Sequence, residues 1–102
     1  MNSLISNNLE QIRSLCEKHG LKELYIFGSA ARDDFDSKQS DLDFLIDFGT
    51  MQPADRASAY FAILEGLEKL FDRRIDLVVY QAIENPYFLK EVDSGKVQLY
   101  AA

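Results

Sequence analysis

Between residues 4 and 19, apolar side chains recur at Leu4, Ile5, Leu9, Ile12, Leu15 and Cys16, close to the period of a helix with one buried face. His19 and Gly20 suit its end: a side chain able to carry positive charge in the last turn, then a residue free to turn left-handed. Residues 22–27 (KELYIF) predict a strand ending at Gly28, and a short helix follows near Ala30. Residues 41–48 (DLDFLIDF) predict a second strand, with Leu42, Phe44, Ile46 and Phe48 on one face. Pro53, favoured at a first helical position, opens a helix over 53–71 whose apolar stripe is Ala57, Tyr60, Phe61, Leu64, Leu67 and Phe71. Residues 75–80 (IDLVVY) predict a third strand, apolar enough to be buried on both faces. Asn85 then caps a helix that begins at Pro86 and ends at Gly95, and residues 96–100 (KVQLY) predict a short, peripheral last strand. This order predicts an α/β (α+β) fold: one small mixed sheet of three to four strands flanked by helices.

Length and composition narrow the setting. A chain of 102 residues suits one domain over 1–102, and 47% hydrophobic residues is ordinary for a soluble globular protein. No apolar run approaches the roughly 20 residues that span a bilayer, and the first 20 residues lack the basic-then-apolar pattern of a signal peptide. Cys16 has no second cysteine to pair with, which fits a reducing, cytoplasmic location. The net charge of −6 argues against direct nucleic-acid binding, which rests on Lys and Arg displacing counterions. The acidity is uneven. Asp33, Asp34, Asp36, Asp41, Asp43 and Asp47 crowd into residues 33–47 with only Lys38 opposing them, and such carboxylates repel unless water or a cation intervenes.

Three features could carry chemistry, and each has a plainer reading. Gly28-Ser29 stands where a strand meets a helix start, a place where free N–H groups attract phosphate; it could equally be a simple turn with Ser29 as the cap. Asp41-Leu42-Asp43 alternates along a strand, so both carboxylates project from one face and could hold divalent cations; it could equally be a solvated strand edge. Asp76, inside Ile75-Asp76-Leu77-Val78-Val79, needs a partner in so apolar a strand. That partner could be Arg73, Arg74 or Arg32, or a metal ion. His19 as a ligand or base competes with its role at the helix end.

Geometry can join the three. If the first two strands are antiparallel, the end carrying Gly28-Ser29 meets the beginning carrying Asp41 and Asp43. If the third runs parallel to the second, through a crossover long enough for a helix over 53–71, Asp76 joins them. A phosphate-binding turn and three carboxylates would then share one rim, the equipment of two-metal phosphoryl transfer.

The segment FGSAARDDFDSKQSDLDFLID resembles the Gly-Ser…Asp-x-Asp signature of the DNA polymerase β-like nucleotidyltransferase superfamily, with Asp76 in RIDLVV as the third carboxylate. The ending NPYFLKEVDSGKVQLY is similar to the tail of its short prokaryotic members, the minimal nucleotidyltransferases. The eleven residues from Ala30 to Ser40 are one more than usual, and Asp33 stands where a glycine is common. The resemblance implies a polymerase β palm-like fold. It also implies that Gly28 and Ser29, helped by Arg32, hold the phosphates of ATP, while Asp41, Asp43 and Asp76 bind two Mg²⁺ ions (Mn²⁺ can substitute) and serve catalysis. It further implies a partner, a HEPN-type ribonuclease toxin joined in a hetero-oligomer, with AMP passed to a toxin tyrosine. The alternative is an antitoxin that neutralises by binding alone. An enzyme for a small-molecule acceptor and a plain acidic domain are more distant rivals.

Overall fold

The computed structural model describes residues 3–32 and 41–102. Its elements are α1 (Ser3–Ser6), α2 (Leu9–Lys18), β1 (Glu23–Phe27), a 3-10 turn (Gly28–Ala31), β2 (Leu42–Asp47), α3 (Pro53–Phe71), β3 (Ile75–Val79), a second 3-10 turn (Tyr80–Ala82), α4 (Pro86–Gly95) and β4 (Val97–Ala101). The four strands form one mixed sheet in the order β3-β2-β1-β4. β1 runs antiparallel to both β2 and β4, and β2 runs parallel to β3. A parallel pair cannot be closed by a tight turn, and the 19 residues of α3 supply the crossover.

Alternation along the strands divides the sheet into unequal faces. Leu24 and Ile26, Leu42, Phe44 and Ile46, Ile75 and Leu77, and Leu99 all turn to one side and are buried. Ile5, Ile12 and Cys16 from the N-terminal helices cover them, with Ala59, Ile63, Leu67 and Phe71 from α3. Phe44 and Phe71 meet with ring centroids 6.0 Å apart. Burial pushes the Cys16 thiol up to about 12, so it serves as a small apolar filler. On the opposite face α4 is the cover. Leu45 and Val92 are buried there, outside the main cluster.

The expected first helix is broken in two. The Asn8 side-chain amide donates to the Leu4 carbonyl at 2.8 Å, ending α1 and freeing α2 to restart in a new direction. α2 stops as anticipated, with Gly20 at a φ of +67° and the Leu21 amide donating to the Cys16 carbonyl at 3.1 Å. The stripe of α3 is borne out at Leu67 and Phe71, which are buried, and at Tyr60 and Leu64, which pack against the core, but its edge is displaced toward Ala59 and Ile63. Ala59, Ile63, Leu67 and Phe71 are buried, while Ala57 is exposed and Phe61 stands 65% exposed. The run Ala59-Tyr60-Phe61-Ala62-Ile63-Leu64 is apolar all round, so spacing alone does not choose the inward face. β3 is an edge strand rather than one buried on both faces, with Asp76, Val78 and Val79 half-buried. The Tyr60 hydroxyl donates to the Leu77 carbonyl at 3.0 Å. Among the described residues, no helix is long and apolar enough to cross a membrane.

α4 begins as the sequence implies. The Asn85 side-chain oxygen accepts from the Tyr87 and Phe88 amides at 2.9 and 3.2 Å, with Pro86 at the first helical position. Asn85→Ala removes that cap and should destabilise the fold by about 1 kcal/mol. A Tm lowered by roughly 4–8 °C in a thermal melt is the expected result; an unchanged Tm would mean that α4 is held by its packing alone.

Candidate functional site

The strand registers bring the sequence-derived candidates together. Across the antiparallel pair Phe27 stands opposite Asp43, and across the parallel pair Asp43 stands opposite Asp76. All three therefore lie in one row on the α4 side of the sheet, since their neighbours Ile26, Phe44 and Leu77 point into the main core. Asp41 sits just before β2, exposed at the same end. The residues Asp33, Asp34, Asp36 and Lys38, with the rest of the loop to Ser40, lie outside the described residues. Asp47, the last of the acidic run, has a structural task. It accepts from the Gly49 amide at 2.8 Å and from the Gln81 side chain. His19 lies at the end of α2, as the cap reading expected.

β1 ends where Gly28 takes a φ of +68°, which starts the 3-10 turn. A Cβ at this position would lie 2.5 Å from an Asp43 carboxylate oxygen. Glycine thus allows both the left-handed backbone and the close approach of Asp43. The turn buries Ala30, leaves Ser29 half-buried, and closes with the Arg32 amide donating to the Ser29 carbonyl at 3.1 Å.

Asp43 is electrostatically the most disturbed member. Burial, the negative charge of Asp76, a hydrogen bond to Asp76 and the charge of Asp41 together raise its carboxyl to about 6, against a lowering by Arg32. A carboxyl so placed seeks positive charge, either a proton or a cation. Hard oxygen donors side by side suit Mg²⁺ or Mn²⁺. Asp43 and Asp76 are the pair in contact. Among the described residues, no three Asp, Glu, His or Cys side chains already surround a common point.

A cavity of about 320 Å³ opens beside this row. Gly28, Ser29, Arg32 and Asp43 form one wall, while Phe88, Glu91, Val92 and Gly95 of α4 form the facing one. The sequence reading did not single out the α4 residues. The signal was present in their spacing of three, four and seven, which places them on one helical face.

Comparisons with known proteins bear on the family and the fold. Residues 9–98 match the family described as "Nucleotidyltransferase domain". Two Methanocaldococcus jannaschii proteins, each named as a candidate protein adenylyltransferase, are 32% and 35% identical over 83 residues, covering 81% of this chain and 81% of each relative. The structure of a candidate minimal nucleotidyltransferase superposes with a TM-score of 0.67 at 27% identity, covering 95% of both chains. A toxin–antitoxin structure with AMP-PNP has the same fold, with a TM-score of 0.67 at 21% identity over 93% of this chain and 74% of that one.

The raised Asp43 carboxyl has a consequence for stability. Because the folded chain holds this proton more tightly than the unfolded chain, Asp43 supports the fold at low pH, and that support is lost as pH rises from about 4 to about 6. Solvent screening at a half-exposed carboxyl limits the effect to about 1 kcal/mol. With chelator present, Asp43→Asn should therefore melt roughly 4–8 °C above the parent at pH 7.5. Near pH 4 the gap should close. A variant less stable than the parent at pH 7.5 would contradict this account of the site.

Proposed function

The chain belongs to the nucleotidyltransferase domain family, and on that premise we propose that it transfers AMP from ATP to a hydroxyl of a partner protein, releasing pyrophosphate. The observation that carries this reading is the shared rim, where the Gly28–Ser29 turn and the contacting pair Asp43–Asp76 meet because one ladder is antiparallel and the next parallel.

In this reading Gly28, Ser29 and Arg32 hold the β- and γ-phosphates through backbone N–H groups, a hydroxyl and a guanidinium. Asp41, Asp43 and Asp76 would hold two Mg²⁺ ions. Bound there, the ions would supply positive charge to the α-phosphate and to the departing pyrophosphate. Asp76, on the outer strand, faces the acceptor and takes up the hydroxyl proton. The acceptor oxygen bonds to the α-phosphorus, the bond from that phosphorus to the bridging oxygen breaks, and pyrophosphate leaves with the electron pair. Holding attacker and leaving group in line accounts for much of the rate.

The acceptor we propose is a tyrosine of a HEPN-type ribonuclease toxin, silenced in a cytoplasmic hetero-oligomer. The names of the two archaeal relatives support a protein acceptor, and the fold shared with toxin–antitoxin structures supports a toxin partner. Purified chain, its neighbouring gene product, Mg²⁺ and ATP labelled at the α-phosphate should place label on the partner. Asp41→Asn with Asp43→Asn should reduce labelling by at least about 100-fold while the two proteins still co-elute. Gly28→Ala should cause a similar loss, because the new methyl would displace Asp43. Absence of label with any nucleoside triphosphate would overturn the proposal. If the partner were nevertheless neutralised, with the aspartate variants equally effective, the chain would be an antitoxin that acts by binding alone.

A further inference from the structure

Phosphate contacts explain only half of the cavity. The α4 wall carries an aromatic ring, a carboxylate and a buried valine, none of which suits a polyphosphate. Phe88 is 36% exposed although it is a large apolar residue. Its ring meets that of Phe27 edge to face, with centroids 6.3 Å apart and planes at 75°. Val92 lies behind them at 1% exposure. The Asn85 cap fixes the first turn of α4 by accepting from the Phe88 amide itself, so the ring is carried on a rigid element.

From this arrangement we infer that the α4 face recognises the nucleoside of the substrate, with Phe88 stacking on the base and Glu91 accepting hydrogen bonds from the ribose hydroxyls. The inference rests on the nucleotidyltransferase reading and assigns the specificity side of the same cavity. A volume of about 320 Å³ falls at the lower end of the range for small-molecule pockets, enough to take a nucleoside against an apolar wall. Base–aromatic stacking is a sequence-tolerant source of affinity for a nucleoside. Glu91 argues against phosphate on its side of the cavity. An ionised carboxylate only accepts hydrogen bonds and repels phosphate. A donor suits it better than a phosphate, and the ribose supplies two hydroxyls side by side; pairing of an acidic side chain with ribose hydroxyls is a recurrent solution in nucleotide sites. Gly95, one turn beyond Glu91 on the same face, adds no side chain to crowd the sugar.

Equilibrium titrations of the full chain with Mg²⁺ test this without any acceptor. The parent should bind ATP at least about tenfold more tightly than inorganic tripolyphosphate, and more tightly than 2′-deoxy-ATP or 3′-deoxy-ATP by a similar factor. Phe88→Ala should bring the ATP-to-tripolyphosphate ratio within about threefold, and Phe88→Tyr, which keeps the ring, should restore it. Glu91→Gln should bring the ribose-to-deoxyribose ratio within about threefold. Glu91 is an exposed helical position, so the fold should survive the change, and a circular dichroism melt confirms that. Equal binding of ATP and tripolyphosphate by the parent would overturn the inference while leaving the phosphate turn in place. Retained ribose discrimination in Glu91→Gln would overturn the role of Glu91. A parent that binds neither ligand would remove both this inference and the reading beneath it.

Discussion

The parallel ladder between β2 and β3 sets Asp43 directly against Asp76, and the rest of the site depends on that contact between like charges. Left to themselves, two carboxylates would move apart into water. They stay because the residues between them are committed elsewhere. Leu42 and Phe44 on one strand, and Ile75 and Leu77 on the other, are buried in the main core. A slip of one residue would turn all four to the opposite face. The hydrophobic effect thus fixes a register that electrostatics alone would reject, and the resulting strain on Asp43 is relieved by taking up positive charge.

The two faces of the sheet divide the labour. One is sealed by α1, α2 and α3 and contributes most of the buried apolar surface. The other has α4 as its cover, with Leu45 and Val92 buried beneath. At the end where β1 stops and β2 and β3 begin, the described residues surround the cavity that Gly28, Asp43 and Phe88 share. Farther along the same face Lys96 is held over the rings of Tyr25 and Tyr80, 4.7 and 5.1 Å from their centroids, and pairs with Asp93 at 2.7 Å. These contacts pin the far end of α4, as Asn85 pins the near end.

Much of this was legible in the chain because local chemistry spoke clearly. Pro53 and the Asn85-Pro86 pair marked helix starts with bounds that the structure reproduces, and the alternation of Leu42, Phe44 and Ile46 fixed the inward face of β2. The strand directions that join Gly28-Ser29, Asp43 and Asp76 followed from asking how the three could meet, and the ladders have those directions. The failures arose where local signals were ambiguous. Asn8 had a competing use for its side chain at Leu4, which spacing does not reveal. An all-round apolar run hid which side of α3 faces in. The apolar β3 could have been central, and only the full strand order makes it an edge. The α4 wall of the cavity was missed for a different reason: Phe88 and Glu91 lie in the tail segment and share a helical face, but their relation to Gly28 exists only in three dimensions.

Charge determines what sort of anion such a site can accept. With a net charge of −6, the average field of the molecule opposes anionic ligands, and the more surface a polyanion crosses the more of that field it meets. A mononucleotide meets it at one place. Among the described residues Arg32 is the basic side chain lining the cavity, and its one guanidinium beside a carboxylate pair does not balance a triphosphate. Further positive charge must arrive with the ligand or immediately before it, and Asp43 is held in a state that favours its arrival. Protons compete for the same place, so any cation that binds there must displace the proton Asp43 otherwise retains up to about pH 6. Under the proposed chemistry, the acidity that looks unsuited to a phosphate-handling protein acts as a filter: it admits a compact nucleotide accompanied by its own cations and discourages larger polyanions.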